Sequence, residues 1–141
     1  MKTQISTTPN KLIVHVGSSI PGRMHDYRYL RSTEVPDWLQ RHPEVRGRFD
    51  LGYQGIKKDY PCATIIHGIK RFRGRKRLTR SEKIFNTKCS KRRIVVEHGI
   101  ARLKKFGILS HIYRNDKERY STIFQSIVSL TNFRTLVRQA T

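Results

Sequence analysis

Ten carboxylates are all this chain has for holding a divalent cation or moving a proton: Asp26, Glu34, Asp37, Glu44, Asp50, Asp59, Glu82, Glu97, Asp116 and Glu118. Metal-dependent phosphoryl chemistry needs such groups, because hard cations prefer oxygen ligands. Three positions stand out by their surroundings. Glu97 lies in a stretch with helical spacing. At about 100° per residue, Arg93, Glu97, Ile100 and Lys104 fall within roughly 60° of one another. Val96 and Leu103 lie beside them, and Lys91, His98, Arg102 and Lys105 point to the opposite side. Glu97 is thereby placed at the border of an apolar, inward face between two cations, where an acid is costly unless paired or metal-bound. Two readings stay open: a metal ligand, or a semi-buried ion pair with Arg93 one turn earlier. Spacing alone favours the ion pair.

Asp50 is the second candidate. It stands at a strand end ahead of Gly52 and Gly55, where an acid can face a cleft. The competing reading is an Asp that serves turn geometry, and local sequence favours it. His25-Asp26 is the third, and also reads as a helix N-terminal pair in which the helix dipole favours the acid. Other chemistries find no support. The six histidines show no zinc spacing, no phosphate-cradling glycine loop is present, and no nucleophile elbow or Cys/His arrangement appears. Cys62 and Cys89 are far apart and read as buried or idle thiols in a reducing cytosol.

The elements that must position these acids follow from turn chemistry and periodicity. Thr3 to Thr7 and Lys11 to Val16 read as short strands joined by the Thr8-Pro9-Asn10 turn. Helices are expected over His25 to Arg31 and over Pro36 to Arg41, the latter with proline in its first turn. Arg48 to Gly55 reads as a strand end running into a glycine-marked turn, and Ala63 to Ile66 as a strand. Ile69 to Arg77 is a basic loop carrying Lys70, Arg71, Arg73, Arg75, Lys76 and Arg77. Thr79 with Glu82 forms a capping box for a helix reaching about Leu109, with interruptions near Ser90 and Gly107. A last helix fits Glu118 to Arg138. Its stripe of Ile123, Ile127, Leu130 and Val137, widened by Phe124, Val128 and Leu136, is expected to be core.

Charge selects the partner. With 30 Lys+Arg against 10 Asp+Glu, the formal net charge is +20 over 141 residues. Self-repulsion of that size opposes compaction unless anions neutralise it, and nucleic acid is the obvious polyanion. An anionic membrane surface is the weaker alternative, since no anchor signal or apolar run of spanning length is present. The expected place is the cytoplasm, at the chromosome. The length corresponds to one ordinary domain.

Several ordered segments carry a resemblance. Pro21-Gly22-Arg23-Met24-His25-Asp26 is similar to the "PGxxHD" segment of DDE transposases of bacterial insertion sequences. Phe49-Asp50-Leu51-Gly52-Tyr53-Gln54-Gly55 resembles the block around their second acid. Leu78-Thr79, Glu82-Lys83, Asn86, Ser90, Arg93, Glu97 and Lys104 resemble the block around the third, whose core is R-x3-E-x6-K. Ile108-Leu109, Tyr113-Arg114 and Asn132 continue the match, so it covers almost the whole chain in order.

The resemblance implies an α/β, ribonuclease-H-like catalytic domain over residues 1–141 with C-terminal helices, incomplete because its first strand is absent. Three acids of that fold bind two divalent ions, Mg²⁺ or Mn²⁺, for DNA cleavage and strand transfer. Asp50 is implied as the second acid and Glu97 as the third. Arg93 and Lys104 are implied to hold DNA phosphates, with the basic loop as further DNA contact and with His25, Asp26 and Asn86 in support. Lys2-Thr3-Gln4 is similar to a segment that follows the family's first acid, so that acid and the upstream helix-turn-helix region are expected to be missing. The expectation is a chain that does not cleave DNA unaided. Its partners are then transposon ends, target DNA, and an upstream half or full-length transposase. Two other readings compete: a non-catalytic basic DNA- or RNA-binding protein, and a regulator of transposition.

Overall fold

The computed structural model describes residues 2–141 apart from positions 72, 75, 76, 112, 114 and 115. It is mixed α/β, as expected. The chain divides into two compact units, Met1–Arg23 with Ile94–Thr141, and Met24–Arg93. The strands among the described residues form two two-stranded sheets.

The first unit begins with the antiparallel pair β1 (Ile5–Thr7) and β2 (Ile13–Val16), in register Ile5 to Val16 and Ser6 to His15. The polar turn between them closes through Thr8 N–H to the Leu12 carbonyl at 2.9 Å. Lys11 ends the turn in the left-handed region at φ 66, a conformation that costs a side-chain-bearing residue on the order of 1–2 kcal/mol. Arg102 holds it there, donating from Nη2 to the Lys11 carbonyl at 2.6 Å. The core consists of Ile13, Leu103, Tyr120, Phe124, Ile127 and Val128, each worth roughly 1.5–3 kcal/mol if fully withdrawn from water. Tyr113 and Tyr120 meet edge to face at 4.8 Å beside it.

Four of these core residues lie on α6 (Lys117–Ala140), which Asp116 caps by accepting from the Glu118 N–H at 3.0 Å. The helix starts where expected but does not bury the expected stripe. Phe124, Ile127 and Val128 are inside, whereas Leu130, Leu136 and Val137 are exposed. Thr131 and Thr135 take the inner positions further along. Their hydroxyls donate to the carbonyls of Ile127 at 2.8 Å and Thr131 at 2.9 Å. A satisfied hydroxyl can be buried at little cost, so these threonines serve the core as small apolar residues do.

The second unit holds α1 (Asp26–Arg31), α2 (Val35–Arg41), β3 (Gly47–Phe49), α3 (Ile56–Asp59) and β4 (Ile65–His67). β3 and β4 pair in parallel, Gly47 to Ile65 and Phe49 to His67. Leu30, Ile56 and Ile65 form the core. β4 begins two residues later than its sequence suggests, because Ala63 N–H closes a turn onto the Tyr60 carbonyl at 3.2 Å.

α4 (Arg80–Lys104) contributes residues to both units. Its start follows the capping box: Thr79 N–H donates to Glu82 Oε2 at 2.8 Å and Glu82 N–H to Thr79 Oγ1 at 3.3 Å. Two details differ from expectation. The helix runs unbroken through Ser90, which sits exposed and perturbs nothing. It stops at Lys104, short of Leu109, because Phe106 leaves helical geometry and packs against the first unit's core. The single turn α5 (Gly107–Ser110) follows.

Candidate active site

β3 ends at Phe49 and a 3₁₀ turn occupies Leu51–Tyr53, so Asp50 falls at the junction. Its Oδ1 accepts the Leu51 N–H at 2.6 Å and caps the turn. Gly55 then adopts φ 93, which lets the chain swing into α3 where a side chain would be strained. The turn-forming reading of Asp50 is therefore correct as far as it goes. The same Oδ1 also accepts from Arg93 Nη1 in an ion pair. The side chains are 53% exposed at Asp50 and 36% at Arg93, so solvent reaches both.

Arg93 is brought to Asp50 by a helix anchored within the same unit. Besides the capping box, Asn86 clamps the chain that follows β4. Its Oδ1 accepts from Ile69 N–H at 2.7 Å and its Nδ2 donates to the Ile69 carbonyl at 2.9 Å. Asn86, implied from sequence only as a supporting residue, thus fixes α4 against the base of the basic loop. Gly68 makes the approach possible, since a β-carbon there would stand 3.1 Å from both Asn86 Oδ1 and Leu51 Cδ2.

The His25-Asp26 pair lies beside the Asp50 turn. His25 caps α1, its Nδ1 accepting from Tyr27 N–H at 3.2 Å. Asp26 directs Oδ2 to within 3.9 Å of where a β-carbon on Gly52 would be. Next to it, Tyr27 donates its hydroxyl to Asp59. Partial withdrawal from water, and then the hydrogen bond and negative charge of Asp59, push the Tyr27 hydroxyl up to about 12. Nothing in the sequence pairs Tyr27 with Asp59, which are 32 residues apart.

Glu97 lies one helical turn beyond Arg93 on α4, and it is exposed. It is more open to solvent than the semi-buried border position expected of it. The inward arc of this part of the helix is made by Gly99 and Leu103. Arg102 is drawn inward as well, where Nη1 donates to Thr135 Oγ1. Glu97, Ile100 and Lys104 are exposed. Lys104 also lines a hollow of about 170 Å³ with Thr3, Ile5, Leu103, Leu109 and Tyr120 in the first unit. Burial there raises the Tyr120 hydroxyl above its ordinary range.

In the basic loop, Lys70, Arg71, Arg73 and Arg77 are exposed, and Gly74 turns the chain at φ 95. Arg75 and Lys76 lie outside the described residues. Among the described residues no three His, Cys, Asp or Glu side chains gather into a metal-binding group. Cys62 and Cys89 are free thiols and neither is buried: Cys62 is exposed and Cys89 half-buried. No described helix is long and apolar enough to cross a membrane.

Residues 1–132 match the family described as DDE superfamily endonuclease. The chain is also 32% identical over 134 residues to a probable transposase for insertion sequence element IS702 from Microchaete diplosiphon. That alignment covers 90% of this chain and 46% of the relative, so the chain spans about half the length of the curated relative it matches. No solved structure matches.

Proposed function

The chain belongs to the DDE superfamily endonucleases, and from that premise we propose that it serves DNA transposition as part of a ribonuclease-H-like catalytic domain. Asp50 and Glu97 are the carboxylates it contributes. The observation that carries this reading is the Asp50–Arg93 ion pair. It sets a solvent-reached acid at the end of β3 against Arg93, a second residue that the family resemblance marks.

The carboxylate of Asp50 suits Mg²⁺ or Mn²⁺, since its side chain is 53% exposed and its own turn fixes it. When bound, such ions activate the attacking oxygen and stabilise the leaving one. The protein's own tasks are positional. The Leu51 amide holds the Asp50 carboxylate, and Asn86 and the capping box hold α4. Arg93, Lys104 and the loop cations Lys70, Arg71, Arg73 and Arg77 hold DNA phosphates, with charge-assisted contacts at Arg93. Transposon ends and target DNA are the substrates in this reading.

The family pattern asks for three acids, and two positions here match it. The 141-residue polypeptide is proposed to bind DNA and to supply two of those acids. A polypeptide carrying the remaining acid, an upstream half or a full-length transposase, completes the site. Complementation tests this. The chain is mixed with an upstream half that carries the remaining acid and lacks the other two, together with labelled DNA and Mn²⁺, and nicking is measured. Cleavage that appears only in the mixture, and is lost on Asp50→Asn or Glu97→Gln, supports the reading. Cleavage in the mixture that survives both substitutions rejects it. The exposed loop cations favour a second reading, a non-catalytic nucleic-acid binder. It predicts no cleavage in any mixture and DNA affinity indifferent to Mg²⁺.

A further inference from the structure

We propose that Arg93 is a guard on Asp50, a counter-ion that a divalent cation must displace and that a DNA phosphate draws away. This rests on the reading of Asp50 as a metal ligand. Two donors share one oxygen, Asp50 Oδ1: the Leu51 N–H and Arg93 Nη1. They differ in what they can do. The Leu51 amide belongs to the turn that Asp50 caps and is neutral, so it stays when a cation arrives. Arg93 is a full positive charge in contact with the atom a cation would take, and like charges that close repel.

Arg93 is able to leave. Its side chain is 36% exposed and its partner 53% exposed, and exposed pairs of this kind are weakly held. A phosphate offers the guanidinium a better partner, because its planar fork matches two oxygens at once. Phosphate binding at Arg93 therefore releases Asp50, and cation binding at Asp50 releases Arg93. The two events help one another by the same factor in either direction. The consequence is a site that takes up divalent cations more readily once DNA is in place. A merely structural ion pair predicts the opposite sign: removing Arg93 would loosen Asp50 and weaken cation binding.

The experiment is a titration of the 141-residue chain with Mn²⁺ alone, followed by paramagnetic broadening of the Leu51 amide resonance. Four proteins are compared: the parent, Arg93→Gln, Arg93→Lys and Asp50→Asn. The guard role predicts that Arg93→Gln lowers the Mn²⁺ concentration for half-broadening by about threefold or more, that Arg93→Lys stays near the parent, and that Asp50→Asn abolishes the local effect. An unchanged or raised midpoint in Arg93→Gln, with the effect still lost in Asp50→Asn, overturns the guard and leaves Asp50 as a ligand. Broadening that persists in Asp50→Asn overturns the ligand reading itself, and the guard with it. The converse arm measures duplex DNA affinity. Asp50→Asn tightens binding more than Asp37→Asn, which removes the same charge without touching Arg93. Equal tightening overturns the exchange of Arg93 between carboxylate and phosphate.

Discussion

Asn132 and Ile13 lie 119 residues apart, and the side-chain amide of Asn132 satisfies both backbone polar groups of Ile13. Its Oδ1 accepts the N–H at 2.9 Å and its Nδ2 donates to the carbonyl at 2.8 Å. Asn86 does the same for Ile69 in the other unit. Each asparagine behaves as a one-residue strand, closing a backbone edge from a helix. Asn132→Leu keeps the volume and leaves two part-buried backbone groups unpaired, at a cost of about 2–3 kcal/mol. Urea denaturation followed by circular dichroism measures it, and a loss within about 0.5 kcal/mol would place the clamp among neutral surface contacts. Asn132→Asp should be as harmful at neutral pH, because it turns a carboxylate oxygen toward the Ile13 carbonyl.

Two glycines should respond in opposite directions to alanine. Gly99 is buried on α4, and a β-carbon there would meet Thr7 Cγ2 at 3.4 Å and Ile5 Cδ1 at 3.9 Å, ordinary contact distances. Gly99→Ala gains helix propensity of up to about 1 kcal/mol. Gly68→Ala forces the Asn86 clamp or Leu51 to move from 3.1 Å, at a cost of about 1–2 kcal/mol. Thermal melts should rise for the first and fall for the second. A fall for Gly99→Ala would mean that β1 sits closer to α4 than described.

Tyr27 sets an alkaline limit on the second unit. Its hydroxyl is raised from 10.0 to about 12 in the folded protein, so the folded state retains a proton that the unfolded chain has given up. The resulting stabilisation is complete below pH 10.0 and is lost as pH rises toward about 12. Ultraviolet titration should find one of the six tyrosines ionising last. Tyr27→Phe should remove that step and flatten the stability decline between those two pH values.

DNA affinity should fall steeply with salt, because each neutralised phosphate releases counterions. Replacing Lys70, Arg71, Arg73 or Arg77 singly by alanine should reduce the slope of log K against log salt by about 1 for each side chain that holds a phosphate. Fluorescence anisotropy with a labelled duplex between about 50 and 200 mM salt reads this directly. A parent slope near zero would remove nucleic acid as the partner of this charge.

Local features were legible in the sequence and long-range ones were not. The hairpin, the capping box at Thr79 and the Asp50 turn follow from side-chain chemistry acting over a few residues, and they appear as expected. On α4 the inward position of Leu103 is legible, but that of Gly99 is not, because glycine contributes nothing to a hydropathy pattern although the helix approaches β1 there. The same blindness affects α6, where bonded threonines displace leucines from the core. The Asp50–Arg93 pair joins residues 43 apart. No local pattern encodes such a partner, although the family resemblance had already marked both residues.

The outward side of α6 leaves Leu130, Phe133, Leu136 and Val137 in water, Phe133 with 64% of its surface exposed. These side chains sit on a molecule of formal charge +20. In dilute buffer, mutual repulsion keeps such surfaces from meeting. Salt shortens the reach of that repulsion from about 10 Å at 0.1 M to about 3 Å at 1 M, while apolar attraction persists. The protein should therefore behave as a charge-stabilised colloid, clear at low ionic strength and clouding as salt is added. Washing nucleic acid from it with concentrated salt would remove that protection.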